Sequence, residues 1–254
     1  MPLTANDLQP GDVLLYHGSG FFSDLIRRFD GGEYSHASVY DGAAVVEALA
    51  DGVNVNTIAD SVRSCRYVDV YRFLSKDGKR LRDVGYPAQP ILDQIGGFKA
   101  NPQRYAYEQI LLLALLTSTR KIGIPGVSFL LRQILDSAAG LLADLISAGR
   151  EPVICSELVY RCYDQAGPAY KLLIRGADIA TLAASATLRA RPADLAAEAE
   201  SDELAEAKSV FLDNYYAAKS AATAASVTAA VADFVTPNDL ARSPNLQNAG
   251  RLAS

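Results

Sequence analysis

Three residues far apart in the chain have side chains that could together carry out nucleophilic chemistry. His36 lies in the apolar run YSHASVYDGAAVVEA (residues 34–48), which also contains Glu47, and Cys155 lies much further along the chain. A carboxylate that accepts a hydrogen bond from one imidazole nitrogen fixes the tautomer of the ring and leaves the other nitrogen to act as a base. A cysteine thiol is a nucleophile that such a base activates. The elements that carry these residues decide whether the three side chains can meet.

The run around His36 has the pattern of a β-hairpin. Asp41 and Gly42 separate two β-type segments, and this dipeptide predicts a two-residue type I′ turn, which needs positive φ at both central positions. With that loop His36 lies directly opposite Glu47, and opposed residues have Cβ atoms roughly 5 Å apart on the same face of the sheet. A bulge would shift the register by one residue and separate them. The hairpin alone favours a structural His–Glu pair, so the case for chemistry depends on a nucleophile elsewhere.

Cys155 supplies that nucleophile because it stands where a helix is predicted to begin. The preceding PVI favours an extended entry, and CSELVYRCYDQAG (155–167) has a helical pattern that ends at Gly167 and Pro168. A thiol at a helix start points toward unpaired backbone N–H groups, which favour a thiolate and can also hold an oxyanion. Cys155 shares the apolar face of this helix, so its sulfur is expected to face the sheet. The alternative is a small buried hydrophobic residue.

The remaining cysteines and the second histidine have simpler interpretations. Cys162 lies two turns along the same helix face and is expected in the core, and Cys65 is expected to pack in the core or at a strand edge. His17 precedes Gly18-Ser19-Gly20 and is predicted to be a loop residue, close enough to the site to contact a substrate. The three cysteines and two histidines form no set with the spacing of a metal site, so no metal and no cofactor are predicted.

Composition excludes several classes of function. The net charge of −5 and the pI near 5.1 argue against a nucleic-acid-binding protein, which needs a basic face. An odd number of cysteines favours a reducing compartment, and the first residues do not resemble a signal peptide, so a cytoplasmic location is expected. The most apolar run, ILLLALL (110–116), is too short to span a bilayer. It is interpreted as a buried helix, with a helix on a membrane surface as the alternative.

Strand patterns come first in the chain and helical patterns follow, which predicts an α+β fold with helices packed against a largely antiparallel sheet. A polar loop is expected at 75–90, and the last twenty residues, VTPNDLARSPNLQNAGRLAS, are interpreted as loop-like. The predicted strands are 11–16, 35–40, 43–48, 53–58 and 67–73, and the predicted helices are 21–30, 102–116 and 155–167, with a helical insertion at about 117–150 and Ala-rich helices over 178–232.

Four short motifs together resemble a known family. LQPGDVLLY, FSDLIRRFDGGEYSHASVYDG and VVEA, followed far downstream by ICSELVYRCYDQAG, are similar to the circularly permuted papain-like hydrolases of the NlpC superfamily, the YiiX/YycO-like group. In that group a Ser-His motif starts a strand, a Glu lies on the next strand, and a Cys-Ser-Glu-Leu-Val motif begins the core helix. Permutation accounts for the order His, Glu, Cys. The resemblance covers about residues 8–73 and 102–167, and TPNDLARSPNL resembles the segment that ends these domains.

The resemblance implies a permuted papain-like fold and a catalytic triad. It matches Cys155 to the nucleophile, His36 to the general base and Glu47 to the residue that orients the base, and it suggests Tyr105 or Tyr107 as an aromatic residue at the substrate site. Residues 1–184 would form the catalytic domain. Residues 185–254 would add an Ala-rich helical extension and a tail that packs on the core.

The implied activity is a cysteine-dependent hydrolase or acyltransferase. It would act on an amide or ester of a small-molecule, peptide, cell-wall or lipid-like substrate, and the apolar helices at 110–148 favour slightly a lipid-like part and allow a peripheral membrane contact. Two alternatives belong to other classes of protein. One is a binding module that keeps the fold without activity, and the other is a scaffold protein whose Ala-rich helices bind partners.

Overall fold

The computed structural model describes residues 2–49, 52–100, 154–174, 210 and 235–253. The predicted helix at 102–116, the helical insertion at 117–150 and the Ala-rich helices lie outside the described residues, apart from Val210, which is in a helical position. In the part of the chain that the structure describes, every helix is too short or too polar to cross a lipid bilayer.

The fold is a mixture of α and β structure built on one six-stranded antiparallel sheet. Its strands are β1 (Val13–Gly18), β2 (His36–Tyr40), β3 (Val45–Leu49), β4 (Gly52–Asn56), β5 (Cys65–Phe73) and β6 (Leu246–Arg251). Their spatial order is β4-β3-β2-β1-β5-β6. This confirms the predicted class, in which an antiparallel sheet packs against helices.

Helices pack on both faces of the sheet, because alternate residues of each strand point to opposite sides. The helices in the described part of the chain are α1 (Phe21–Asp30), α2 (Ile58–Val62), α3 (Gln89–Ala100), α4 (Cys155–Asp164) and α5 (Pro237–Arg242). The larger apolar cluster includes Ala37 and Val39 of β2 together with residues of α3 and α4. The smaller cluster includes Leu14 and Tyr16 of β1, and residues of α2 pack against it.

The helix α4 runs alongside β2 in the same direction. Its first residue, Cys155, lies at the His36 end of the strand, where the two side chains are close enough to interact. Near its other end the Tyr163 hydroxyl donates to the carbonyl of Gly11, and the N–H of Gly11 donates to the carbonyl of Tyr40 at the end of β2. The packing of α4 on β2 therefore brings a helix start to the end of the sheet at which β2 begins.

The predicted two-residue turn of the hairpin is wrong. The register pairs Ser38 with Glu47 and Tyr40 with Val45, so the loop comprises the four residues 41–44. Asp41 closes this longer turn, because its Oδ1 accepts hydrogen bonds from the N–H groups of Ala43 (2.8 Å) and Ala44 (2.7 Å). The register shifts by two residues, an even number, so every side chain keeps its predicted face. His36 and Glu47 are diagonal neighbours on one face rather than directly opposed.

Two helices differ from the predicted elements. The predicted strand 53–58 ends at Asn56, because Thr57 caps α2 by accepting a hydrogen bond from the N–H of Asp60 (3.1 Å). The helix α3 was not predicted as an element; it contains Gly96 and Gly97, which have low intrinsic helix propensity. By contrast, α1 has its predicted bounds and ends at Gly31 in the left-handed conformation (φ 63°).

The end of the chain is also not the loop that its polar composition suggested. Thr236 and Asp239 form a reciprocal capping box at the start of α5, with both hydrogen bonds at 3.0 Å, and Pro237 occupies the first turn. The strand β6 then pairs with β5 at the edge of the sheet. Residues 235–253 thus pack on the core.

Candidate active site

The backbone at the start of α4 leaves Cys155 at an open helix end. Ile154 is extended (φ −84°, ψ 150°), and the first intrahelical hydrogen bond runs from the N–H of Leu158 to the carbonyl of Ile154 (2.9 Å). The N–H groups of Cys155 and Ser156 precede that bond and point out of the helix end. Glu157 caps the start, because its Oε2 accepts a hydrogen bond from the N–H of Ile154 (3.0 Å). A thiol in this position lies beside backbone donors.

The three side chains singled out in the sequence meet at this helix start. His36 is the first residue of β2, and its Nε2 lies 2.8 Å from Oε2 of Glu47. The side chain of Cys155 lies close enough to the His36 ring to raise its pKa through charge and hydrogen bonding. Because Glu47 occupies Nε2, Nδ1 is the ring nitrogen left for the sulfur. Cys155 and Glu47 are 5% and 2% exposed, so the pair of contacts is shielded from bulk water.

The electrostatics of the site favour a protonated imidazole. Burial lowers the pKa of His36, but the negative charge of Cys155 and the hydrogen bond to it, together with Glu47, raise that pKa well above its ordinary value of 6.5. A raised pKa favours the protonated form of the ring. The ring of His36 therefore lies between the carboxylate of Glu47, which it contacts through Nε2, and the side chain of Cys155.

Glu47 stays ionised although it is buried. Burial raises its pKa, whereas the hydrogen bond and charge of His36, followed by hydrogen bonds with Asn56 and Ser61, lower it below the ordinary value of 4.5. The amide of Asn56 donates to Oε1 at 2.9 Å. Asn56 ends β4 and Ser61 lies on α2, so two further elements support the carboxylate.

Asn56 and Ser61 were not predicted from the sequence. The signal for α2 was present, since Thr57 stands three residues before Asp60, the spacing of a capping box. That signal would have ended β4 at Asn56 and placed Ser61 on the following helix. It would not have indicated that either side chain points at Glu47.

The predicted substrate-binding residues are not brought to the triad by the described contacts. His17 belongs to β1 rather than to a loop, and its ring stacks on Tyr67 with centroids 4.6 Å apart. Burial lowers the pKa of His17, and the charges of Arg27 and Arg66 act in the same direction. Tyr105 and Tyr107 lie outside the described residues.

Residues near the end of the chain form hydrogen bonds with the start of α4 and with the segment that precedes β2. The Ser156 hydroxyl, next to Cys155, donates to the carbonyl of Val235 (2.6 Å). Asn238 forms two hydrogen bonds with the backbone of Tyr34, in the segment that leads into His36. Its Oδ1 accepts from the N–H of Tyr34 (3.1 Å), and its Nδ2 donates to the Tyr34 carbonyl (3.0 Å). A Cβ at Gly32 would overlap the Asn238 side chain, so this contact requires glycine. These contacts position β2 and α4 relative to each other.

No family model, curated protein or solved structure matches the chain. The function is therefore inferred from the geometry of the site.

Proposed function

We propose that the protein is a cysteine-dependent hydrolase or acyltransferase that acts on an amide or ester. One observation carries the proposal: the His36 ring is hydrogen-bonded to Glu47 and lies next to the Cys155 side chain, which helps to raise the pKa of the ring. The three residues come from a helix start and two strands, and nucleophile, base and orienting group in this relation define a triad irrespective of their order in the sequence. The permuted papain-like fold of the resembling family is part of the same proposal.

The acylation half of the reaction follows from the contacts. The thiolate of Cys155 attacks the carbonyl carbon, and the carbonyl oxygen gains the negative charge. The N–H groups at the start of α4 are placed to stabilise that charge. The intermediate collapses by breaking the bond to the amine or alcohol, and the leaving group takes the Nδ1 proton of His36. The product is a thioester on Cys155 and a neutral imidazole.

Deacylation uses the neutral imidazole as a base. His36 takes a proton from water, or from another acceptor with an O–H or N–H group, and the resulting nucleophile attacks the thioester. Cys155 leaves as a thiolate and the acid or transferred acyl product departs, which restores the imidazolium. Glu47 holds Nε2 throughout and stabilises the positive ring in the resting state.

A labelling experiment with a chromogenic ester tests the proposal. p-Nitrophenyl esters of short and long acyl chains should release p-nitrophenol in a burst, with the acyl mass found on the peptide that contains Cys155. Cys155→Ala should abolish both. Cys162→Ala is the matched control, because Cys162 is fully buried on the same helix, and it should leave the burst unchanged.

Two results would contradict the assignment of Cys155 as the nucleophile. An acyl adduct on Cys162 or Cys65, or a burst that persists in Cys155→Ala, would show that the triad is not the reactive centre. An unreactive Cys155 in the folded protein would favour the binding module of the same fold.

A further inference from the structure

A row of three hydroxyl groups leads to the carboxylate of Glu47. Tyr16 of β1 is fully buried, and its Oη lies 2.6 Å from Oγ of Ser38 and 2.7 Å from Oγ of Ser61. Ser61, on α2, lies close enough to Glu47 to lower the pKa of its carboxyl as a hydrogen-bond donor. The row joins β1, β2 and α2 to the acid of the candidate site, on the face of the sheet opposite the packed helices α3 and α4.

The hydrogen bonds in this row have only one consistent direction. An ionised carboxylate can only accept, so Ser61 donates its single proton to Glu47. Ser61 must then accept from Tyr16, and Tyr16, whose one proton is used, must accept from Ser38. Burial, and then the negative charge of Glu47, raise the pKa of Tyr16, so it remains a neutral donor. Hydroxyls aligned in this way polarise one another and strengthen the last bond.

We infer that Ser61 and Tyr16 are positioning residues of the Cys155 centre: their aligned hydroxyls hold Glu47 as a carboxylate and thereby keep His36 protonated beside Cys155. The inference rests on the proposed function. Asn56 supports Oε1 and His36 supports Oε2, so the hydroxyl row is the remaining source of donors among the described contacts of Glu47. Without it, the buried charge loses a donor that water cannot replace.

The titratable groups around Glu47 determine what a pH measurement reports. His36 of β2 contacts Glu47 directly, and Cys155 of α4 lies beyond it. Tyr16 of β1 interacts with the Glu47 charge, and Cys65 at the start of β5 interacts with Tyr16. Tyr16 titrates far above neutrality, so a change in protonation near pH 7 is assigned to the Cys155–His36 pair after Cys65 has been replaced by Ala.

The test compares variants that remove one hydroxyl in the Cys65→Ala background. Ser61→Ala should lower the rate of Cys155 alkylation by iodoacetamide at pH 6 about tenfold, the usual effect of one hydrogen bond to a charged group. Tyr16→Phe should lower the rate less, because Tyr16 reaches Glu47 only through the hydroxyl of Ser61. The alkylation profile should move to higher pH. Ser61→Thr should restore the rate, because it restores the hydroxyl.

Thr57→Ala is the matched control. It removes the cap of α2, in which Thr57 accepts a hydrogen bond from the N–H of Asp60, but leaves the hydroxyl row intact. It should lower the melting temperature while the alkylation rate at pH 6 stays within about twofold of the wild type. A merely structural role of Ser61 would give the same result as this control.

The outcomes separate this inference from the proposed function. The inference is overturned if folded Ser61→Ala and Tyr16→Phe, checked by circular dichroism, keep the wild-type alkylation profile. If one variant does not fold, the other decides. If Cys155 of the wild type is no more reactive than a free thiol, the proposed function fails. The titration of His36 by NMR then decides the inference, which predicts a lower pKa of His36 in Ser61→Ala.

Discussion

The sheet contains two buried carboxylates that accept hydrogen bonds from similar kinds of donor but differ in their basic partner. Glu47 on β3 is 2% exposed and Asp69 on β5 is 5% exposed. Each accepts hydrogen bonds from a basic side chain and a hydroxyl. Glu47 has His36 and Ser61, whereas Asp69 has Arg251, at 2.8 and 3.1 Å, and the hydroxyl of Tyr34, at 2.8 Å.

The difference lies in the basic partner. Imidazole can gain and lose a proton, and the ring of His36 lies next to the Cys155 side chain, so under the proposed function the Glu47 cluster transfers protons. A guanidinium stays charged at all relevant pH values and serves as a fixed donor. The Arg251 guanidinium also lies over the Tyr67 ring, 3.6 Å from its centroid, and thereby ties the edge strand β6 to β5. A buried carboxylate can thus support either a reactive site or the pairing of strands. The basic side chain beside it, an imidazole or a guanidinium, determines which.

The largest expected effect comes from Glu47→Gln, which keeps the shape of the side chain but removes the charge that faces His36. The pKa of His36 should fall, because Glu47 is one of the groups that raise it. Alkylation of Cys155 and turnover of a p-nitrophenyl ester at pH 6 should drop about ten- to a hundredfold. Unchanged rates in the folded variant would contradict the role of Glu47.

The same carboxylate predicts the behaviour in acid. The pKa of Glu47 is lowered below 4.5 in the folded protein, so its contribution to stability is present above pH 4.5 and is lost as the pH falls through the lower folded value. The free energy of unfolding of the wild type should therefore decrease below pH 4.5. Urea denaturation as a function of pH measures this, and Glu47→Gln should show a shallower decrease.

Asp69→Asn should have the complementary effect. It should lower the free energy of unfolding by about 1–3 kcal/mol, because a buried acceptor of charged and hydroxyl donors is weakened. The side chain of Arg251 is 52% exposed, so water can hydrate its guanidinium in the variant. The loss of stability is therefore expected toward the lower end of this range. Urea denaturation measures the loss. Alkylation of the folded variant should stay within about twofold of the wild type, and a large drop would show that the two clusters are not separate.

Tyr34→Phe should have the smallest effect, about 1 kcal/mol, since it removes one hydroxyl donor from Asp69. Tyr71→Phe is a matched control, because the Tyr71 hydroxyl lies 3.2 Å from that of Tyr34 and the change leaves the Tyr34–Asp69 bond in place. In thermal denaturation, the melting temperature of Tyr71→Phe should be higher than that of Tyr34→Phe. The reverse order would indicate that Tyr71 is the more important support.

The sequence allowed prediction of the site better than of its supports. Cys155 was found from a helix start, and His36 and Glu47 from alternation within a hairpin, which kept their shared face correct despite a register error of two residues. Asp69 and Arg251 meet across 182 positions, and no local pattern links residues so distant. The hydroxyls that support Glu47 were missed because buried Ser and Tyr residues have no periodicity that distinguishes them from their neighbours.

The end of the chain shows the same limit. Its polar residues suggested a loop, yet Thr236, Pro237 and Asp239 start a helix, and the following residues pair at the sheet edge. An edge strand needs an apolar pattern on one face only, and β6 has little of it, because Leu246 is its one buried residue. Tertiary pairing with β5 determines the strand, and that pairing is not a local property of the sequence.

The protonation of His36 tests the central claim most directly. The chain has two histidines, so a protein labelled with ¹⁵N-histidine gives two sets of ring signals, which His17→Gln assigns. At pH 7 both nitrogens of His36 should carry protons, and Cys155→Ala should lower the pKa of His36, because the negative charge that raises it is removed. A His36 that titrates identically with and without the thiol would contradict the Cys155–His36–Glu47 centre.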